Sequence, residues 1–258
     1  MANLTSALAD PTATSVTVDV EVDVIDERLC VLTKMEHITF KNAHRDFALP
    51  AAVTSTWTAL TSATFEPKRT QVLVMPEAAR QLPVKSLRIE RATRALALPA
   101  GLSEFIVYSF ADDVDAVVAA AAAQAPGLTR LSIFADDEHK PRDSDAGRVE
   151  QPLPPRLPAH LPLPALNDLD VGFVVDDASA LAGCPALTEL ECKTKDATAL
   201  VRTLASSGAP VQMLKLRGQG VLALPDELAA LPLKQLVLFA AATLPAAMAR
   251  MPLRELSL

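Results

Sequence analysis

One short pattern recurs along most of this chain and constrains its fold more than any other feature. It is an apolar residue, two free positions, Leu, one free position and Leu. The two C-terminal copies align at a shift of 20 residues: Leu224 with Leu244, Leu228 with Met248, Leu231 with Met251, Leu233 with Leu253, Leu236 with Leu256 and Leu238 with Leu258. Upstream the core reads Val211/Leu214/Leu216, Leu187/Leu190/Cys192, Leu166/Leu169/Val171, Leu128/Leu131/Ile133, Leu102/Phe105/Val107 and Val84/Leu87/Ile89. Weaker copies are Met35/Ile38/Phe40 and Trp57/Leu60/Ser62. Successive copies start 18 to 27 residues apart, except for 38 between Leu128 and Leu166.

In a strand, the two leucines of Leu-x-Leu share one face while the residue between them points the other way. Each copy therefore predicts one short strand with one apolar face. A single copy cannot bury that face, but stacked copies build a continuous core and a parallel sheet. Twenty prolines against eight glycines fit a chain cut into many short pieces. Apolar residues make up 50% of the chain but aromatics only 4%, so the expected core is aliphatic.

The segments between strands carry helical pattern. Asp112 to Gln124 is alanine-rich and closed by Pro126-Gly127. Asp196 to Ser206 has Asp196 as N-cap, apolar Leu200, Val201 and Leu204, and a stop at Gly208. Leu244 to Met248 is a single turn started by Pro245. Residues 1–15 are small and polar and are expected to be disordered. Over 16–34, Val16, Val18, Val20, Val22 and Val24 alternate with polar residues, a pattern expected of a capping strand. Residues 35–258 then form the repeat region, with an acidic loop insertion at 136–151 that accounts for the 38-residue gap.

These copies resemble the leucine-rich-repeat family over about Met35 to Leu258. The resemblance implies an α/β solenoid of eight or nine repeats, its parallel sheet on the concave face and short helices or turns on the convex face. One departure from the family pattern is the Asn three residues after the final Leu, which is replaced by Asp136, Lys195, Gln219 and Ala241. The Leu-Pro-x-x-Leu spacing and the alanine-rich repeats are similar to bacterial members, especially effectors delivered by type III secretion. That likeness implies a protein partner, a host protein, and passage from the bacterial cytoplasm to the host cytoplasm. Some members also carry an E3 ubiquitin-ligase domain; no ligase motif stands here, so any such domain would lie outside this chain. The competing readings are the substrate-binding half of such a ligase, its catalytic domain not in this chain, and a bacterial cytosolic scaffold. Leu258 falls inside a repeat strand with no polar closing segment, so the expectation is that the chain either stops short there or pairs with something beyond its end.

The chemistry of the chain excludes several classes. A net charge of −7 argues against binding nucleic acid through phosphates. No apolar run reaches the roughly 18 to 20 residues of a membrane span, and the first basic residue is Arg28, so a Sec-type signal peptide is not expected. Cys30, Cys184 and Cys192 are too scattered for a disulfide framework or a zinc site, and Cys192 stands at a repeat Leu position as a buried thiol. His37, His44, His139 and His160 share no ligand spacing, and His37 falls at an outward strand position. No phosphate loop, nucleophile elbow or metal helix is present, so no cofactor, metal or catalytic residue is expected in this chain.

The positions that alternate with the leucines remain. They place Ile106, Tyr108 and Phe134 in one apolar spot, Asp168, Asp170, Glu189 and Glu191 in an acidic patch, and Lys215 with Arg217 in a basic one. Met213, Val237 and Phe239 add a second apolar spot, and Arg130 borders the first. Large apolar side chains pointing outward from strands mark a protein contact surface. An ordinary solvated sheet face would use the same positions.

Overall fold

The computed structural model describes residues 2–10, 12–21, 27–43, 49–67, 77–92, 96–109, 114–135, 156–175, 178–218 and 220–258. The acidic insertion at 136–151 and the valines at 22 and 24 lie outside these residues. The protein is α/β, with parallel strands joined by short helices and turns. The chain forms two compact units, Met1–Ser109 with Ala119–Leu128, and Phe110–Val118 with Thr129–Leu258.

In the first unit the strands are β1 (Ala2–Asn3), β2 (Ser15–Asp19), β3 (His37–Ala43), β4 (Ser62–Pro67), β5 (Ser86–Ala92) and β6 (Glu104–Ser109). Each pairs in parallel with the next in sequence. Parallel neighbours require a crossover, and the crossovers here include helix α1 (Leu4–Ala9), α2 (Ala51–Thr56) and the 3₁₀ turns Glu27–Val31 and Glu77–Gln81. Register sets Val16, Ile38, Ala63, Leu87 and Phe105 side by side, and beyond them Val18, Phe40, Phe65, Ile89 and Val107. All ten are buried.

This unit corrects four expectations. Its core is not purely aliphatic: Phe40 stacks on Phe65 at 5.0 Å and meets Trp57 at 6.4 Å. The buried Trp57 indole donates a hydrogen bond to the Leu29 carbonyl at 3.2 Å, which satisfies its polar edge. The repeat frame is Leu60/Ala63/Phe65, three residues later than Trp57/Leu60/Ser62, because a small alanine holds the central strand position and disguises it. Within the stretch expected to be disordered, residues 4–9 form α1 and bury Leu4 and Ala7. The strand over 15–19 is flanked by β1 as well as β3, so it lies within the sheet instead of capping it.

In the second unit β7 (Arg130–Ala135), β8 (Asp168–Val174), β9 (Glu189–Thr194), β10 (Met213–Gly218), β12 (Gln235–Leu238) and β14 (Glu255–Ser257) pair in parallel in that order. The two-residue strands β11 (Leu222–Ala223) and β13 (Ala242–Thr243) form a separate parallel ladder. Leu131, Leu169, Leu190, Leu214 and Leu236 make one buried row, and Ile133, Val171, Cys192, Leu216 and Leu238 the next.

Helix α3 (Val114–Gln124) coincides with the alanine-rich segment. Helix α4 (Ala197–Ser207) has the expected ends: the Asp196 carboxylate accepts from the Ala199 N–H at 2.9 Å, and Gly208 takes a left-handed φ of 66°. The remaining crossovers are the 3₁₀ turns Ser179–Gly183, Asp226–Ala230 and Ala246–Arg250, the last two started by Pro225 and Pro245. Ahead of β8, Leu161 and Leu163 are fully buried, as is the repeat residue Leu166. A Cβ on Gly183 would collide with the Leu161 carbonyl oxygen, which also accepts from the Cys184 thiol at 3.3 Å.

Register is locked the same way in both units. The carbonyl of the residue before each strand accepts N–H groups from two successive residues at the start of the next strand. Thr61 serves Lys85 and Ser86, Thr188 serves Gln212 and Met213, and Lys234 serves Arg254 and Glu255. Such repetition fixes which side chains align across strands, and a one-residue slip would turn every leucine outward.

Candidate functional site

The residues that alternate with the core rows remain at least partly open to water on most strands. Along β8 the burial alternates strictly, Asp168, Asp170, Gly172 and Val174 being half-exposed and Leu169, Val171 and Phe173 buried. On β9, β10 and β12 the outward residues Glu189, Glu191, Lys193, Met213, Lys215, Arg217, Gln235 and Val237 are half-exposed or exposed. Thr39 and Ser132 are outward residues that are nevertheless buried, Ser132 only 3% exposed.

In the second unit, register arranges these side chains into two rows. Asp168, Glu189, Met213, Gln235 and Glu255 form the first; Asp170, Glu191, Lys215, Val237 and Ser257 form the second. The expected acidic and basic patches are not separate. Lys215 stands directly beside Glu191, with Nζ 3.5 Å from Oε2, and Arg217 reaches back to Glu191 Oε1 at 2.6 Å from Nη2 and 3.0 Å from Nε. Arg130 pairs with Asp168 at 3.1 Å. Parallel register therefore fuses the two patches into one ion network.

Asp170 sits between Ser132 on one strand and Glu191 on the other. Burial, then the like charges of Glu191 and Asp168, push its carboxyl up to about 6, with Arg217 and Lys215 acting in the opposite direction.

The apolar spots also differ from bare anchors. Arg217 lies over the Phe239 ring, 4.1 Å from its centroid, yet Phe239 remains 50% exposed. Phe134 rests on Gly172, where a Cβ would come within 2.6 Å of the ring. Gly172 belongs to the bulge between Val171 and Val174, and the ring takes the space a side chain would need. In the first unit, Ile106 and Tyr108 lie outward on β6, and Arg88 covers the Tyr108 ring at 5.0 Å while contacting its hydroxyl at 3.4 Å and Glu90 at 3.2 Å. Arginine stacking of this kind holds an aromatic in place while leaving part of its surface open.

A second feature lies at the strand starts, outside the Leu-x-Leu frame. An open pocket of about 340 Å³ lies where β9, β10, β12 and β14 begin. It is lined by the pairs Thr188–Glu189, Gln212–Met213, Lys234–Gln235 and Arg254–Glu255. The first member of each pair precedes its strand, outside the Leu-x-Leu frame. Its signal in the sequence is a polar residue two positions before the first strand leucine.

The buried thiols are inert: burial pushes Cys184 up to about 11 and Cys192 up to about 12, far from thiolate formation at neutral pH. Among the described residues there is no group of three or more His, Cys, Asp or Glu side chains able to hold a metal ion. No helix among them is long and apolar enough to cross a membrane. A scan against known family models finds no match for this chain, and a search of curated proteins finds no significant relative.

Proposed function

We propose that this chain is a protein-binding module built as a leucine-rich-repeat solenoid, and that the outward strand face of its second unit is the contact surface. One observation carries the reading. All-parallel sheets are normally covered on both faces, yet here the outward positions of β8, β9, β10 and β12 stay open, and Phe239, directly after β12, stands half-exposed beside a charged network. An open face with an aromatic anchor and charges of both signs offers burial energy together with orientation. The resemblance to type III secreted bacterial effectors extends the proposal to recognition of a host-cell protein.

Capture from host and bacterial lysates, with each variant melted in parallel, tests the proposal. Phe239→Ala should lose a partner held by the wild-type chain, at a cost of about 2 kcal/mol of binding, with an unchanged melting temperature. Arg217→Glu should weaken capture in a salt-dependent manner. Val31→Asp, at an exposed apolar site of the first unit, should bind normally. Partners retained equally by all variants would place the contact surface elsewhere.

A further inference from the structure

The pocket at the strand starts has a charge layout that selects its occupant. Four of its polar groups are already paired: Lys234 Nζ donates to Gln212 Oε1 at 2.6 Å, and Gln235 Nε2 donates to Glu255 Oε2 at 2.5 Å. Two others have no hydrogen bond or ion pair among the described residues, the Glu189 carboxylate at the β9 end and the Arg254 guanidinium at the β14 end. Met213 between them is the single apolar lining side chain. Toward the β14 end Lys234 adds a second positive charge and Glu255 one negative charge, so the pocket is net negative on one side and net positive on the other. Three strand spacings separate β9 from β14, about 14 Å at roughly 4.8 Å each. An extended peptide covers nearly the same distance, about 13 Å, in four residues.

We infer that this pocket binds an extended segment of a partner protein running across the strands. The segment places a basic side chain on Glu189, an acidic side chain four residues away on Arg254, and an apolar side chain between them on Met213. A segment of that form satisfies both free charges at once. Spacing of two residues, about 7 Å, reaches only one of them. The inference rests on the contact-surface reading, and names what part of that surface recognises.

The test is an NMR titration of the full chain with acetyl-Lys-Ala-Leu-Ala-Glu-amide, against acetyl-Lys-Leu-Glu-amide as the short-spaced control. Saturable shifts should centre on the amides of Glu189, Met213, Gln235 and Arg254, and the control should bind about fivefold more weakly. Glu189→Lys and Arg254→Glu should each weaken the longer peptide by about fivefold. The double variant restores opposite charges at the two ends and should recover affinity, the peptide lying the other way round; loss of structure could not produce that recovery. Equal binding of the two peptides, no recovery in the double variant, or no saturable shift by about 10 mM peptide would overturn the inference. Val31→Asp, in the first unit, should leave peptide binding intact. Phe239-dependent capture without peptide binding removes the inference and keeps the contact surface, whereas peptide binding without Phe239-dependent capture does the reverse.

Discussion

Asp170 stands next to Glu191 on the neighbouring strand, and like charges directly opposite in a sheet destabilise it. Its carboxyl titrates near 6 in the folded chain against an ordinary 3.8, so between those values the native state holds a proton that the unfolded chain has lost. Stability from this residue is therefore full below about pH 4 and falls as pH rises through about 6. That rise corresponds to about 3 kcal/mol, but the group is only half buried, and solvent screening reduces this to about 1 kcal/mol. Asp170→Asn should thus gain about 1 kcal/mol at pH 7.5 and nothing at pH 4, read from urea midpoints. Equal gains at both pH values would mean that charge at Asp170 is not the cause.

At the scale of elements, α4 shows how local chemistry sets boundaries. Asp196 supplies the first-turn acceptor, Gly208 supplies the left-handed stop, and Leu200, Val201 and Leu204 bury one stripe between them. Asp196→Ala removes a partner from the Ala199 N–H and should cost about 1 kcal/mol, while Asp196→Ser should restore most of it. Hydrogen exchange at residues 199–201 checks the cause, since fraying from a lost cap accelerates exchange there first. Unchanged exchange together with a lower midpoint would point to a tertiary effect. The prolines at 225 and 245 act more modestly, each starting a single 3₁₀ turn.

At the scale of the whole molecule, the energetic weight of a repeated leucine depends on what stands on either side of it. Leu214 is fully buried between Leu190 and Leu236, whereas Leu256 holds the equivalent position on β14 and remains 43% exposed. Leu214→Ala should cost on the order of 2 to 5 kcal/mol through lost transfer energy and a cavity. Leu256→Ala should cost about 1 kcal/mol or less, since less of its surface leaves water on folding. Denaturation midpoints of the two variants decide this, and equal costs would contradict a core built by stacking.

The strands and their inward face are legible in the residue order alone. Leu-x-Leu allows one burial pattern on a strand, so Leu131, Leu169, Leu190, Leu214 and Leu236 could be placed inside without coordinates, as could the ends of α4 at Asp196 and Gly208. Where the pattern weakened, local reading failed: Ala63 is too small to announce a core position, and Trp57 imitates a repeat residue while filling the space beside Phe40. Cross-strand relations belonged to tertiary structure alone. Glu191 and Lys215 are 24 positions apart, as are Gln212 and its equivalent Thr188, and no periodicity along the chain states that the first two neutralise one another. Register decides that, through carbonyls that each hold two N–H groups of the following strand. The pocket between Glu189 and Arg254 exists only once four strand starts are brought level, because its walls come from four repeats and no single repeat encodes it.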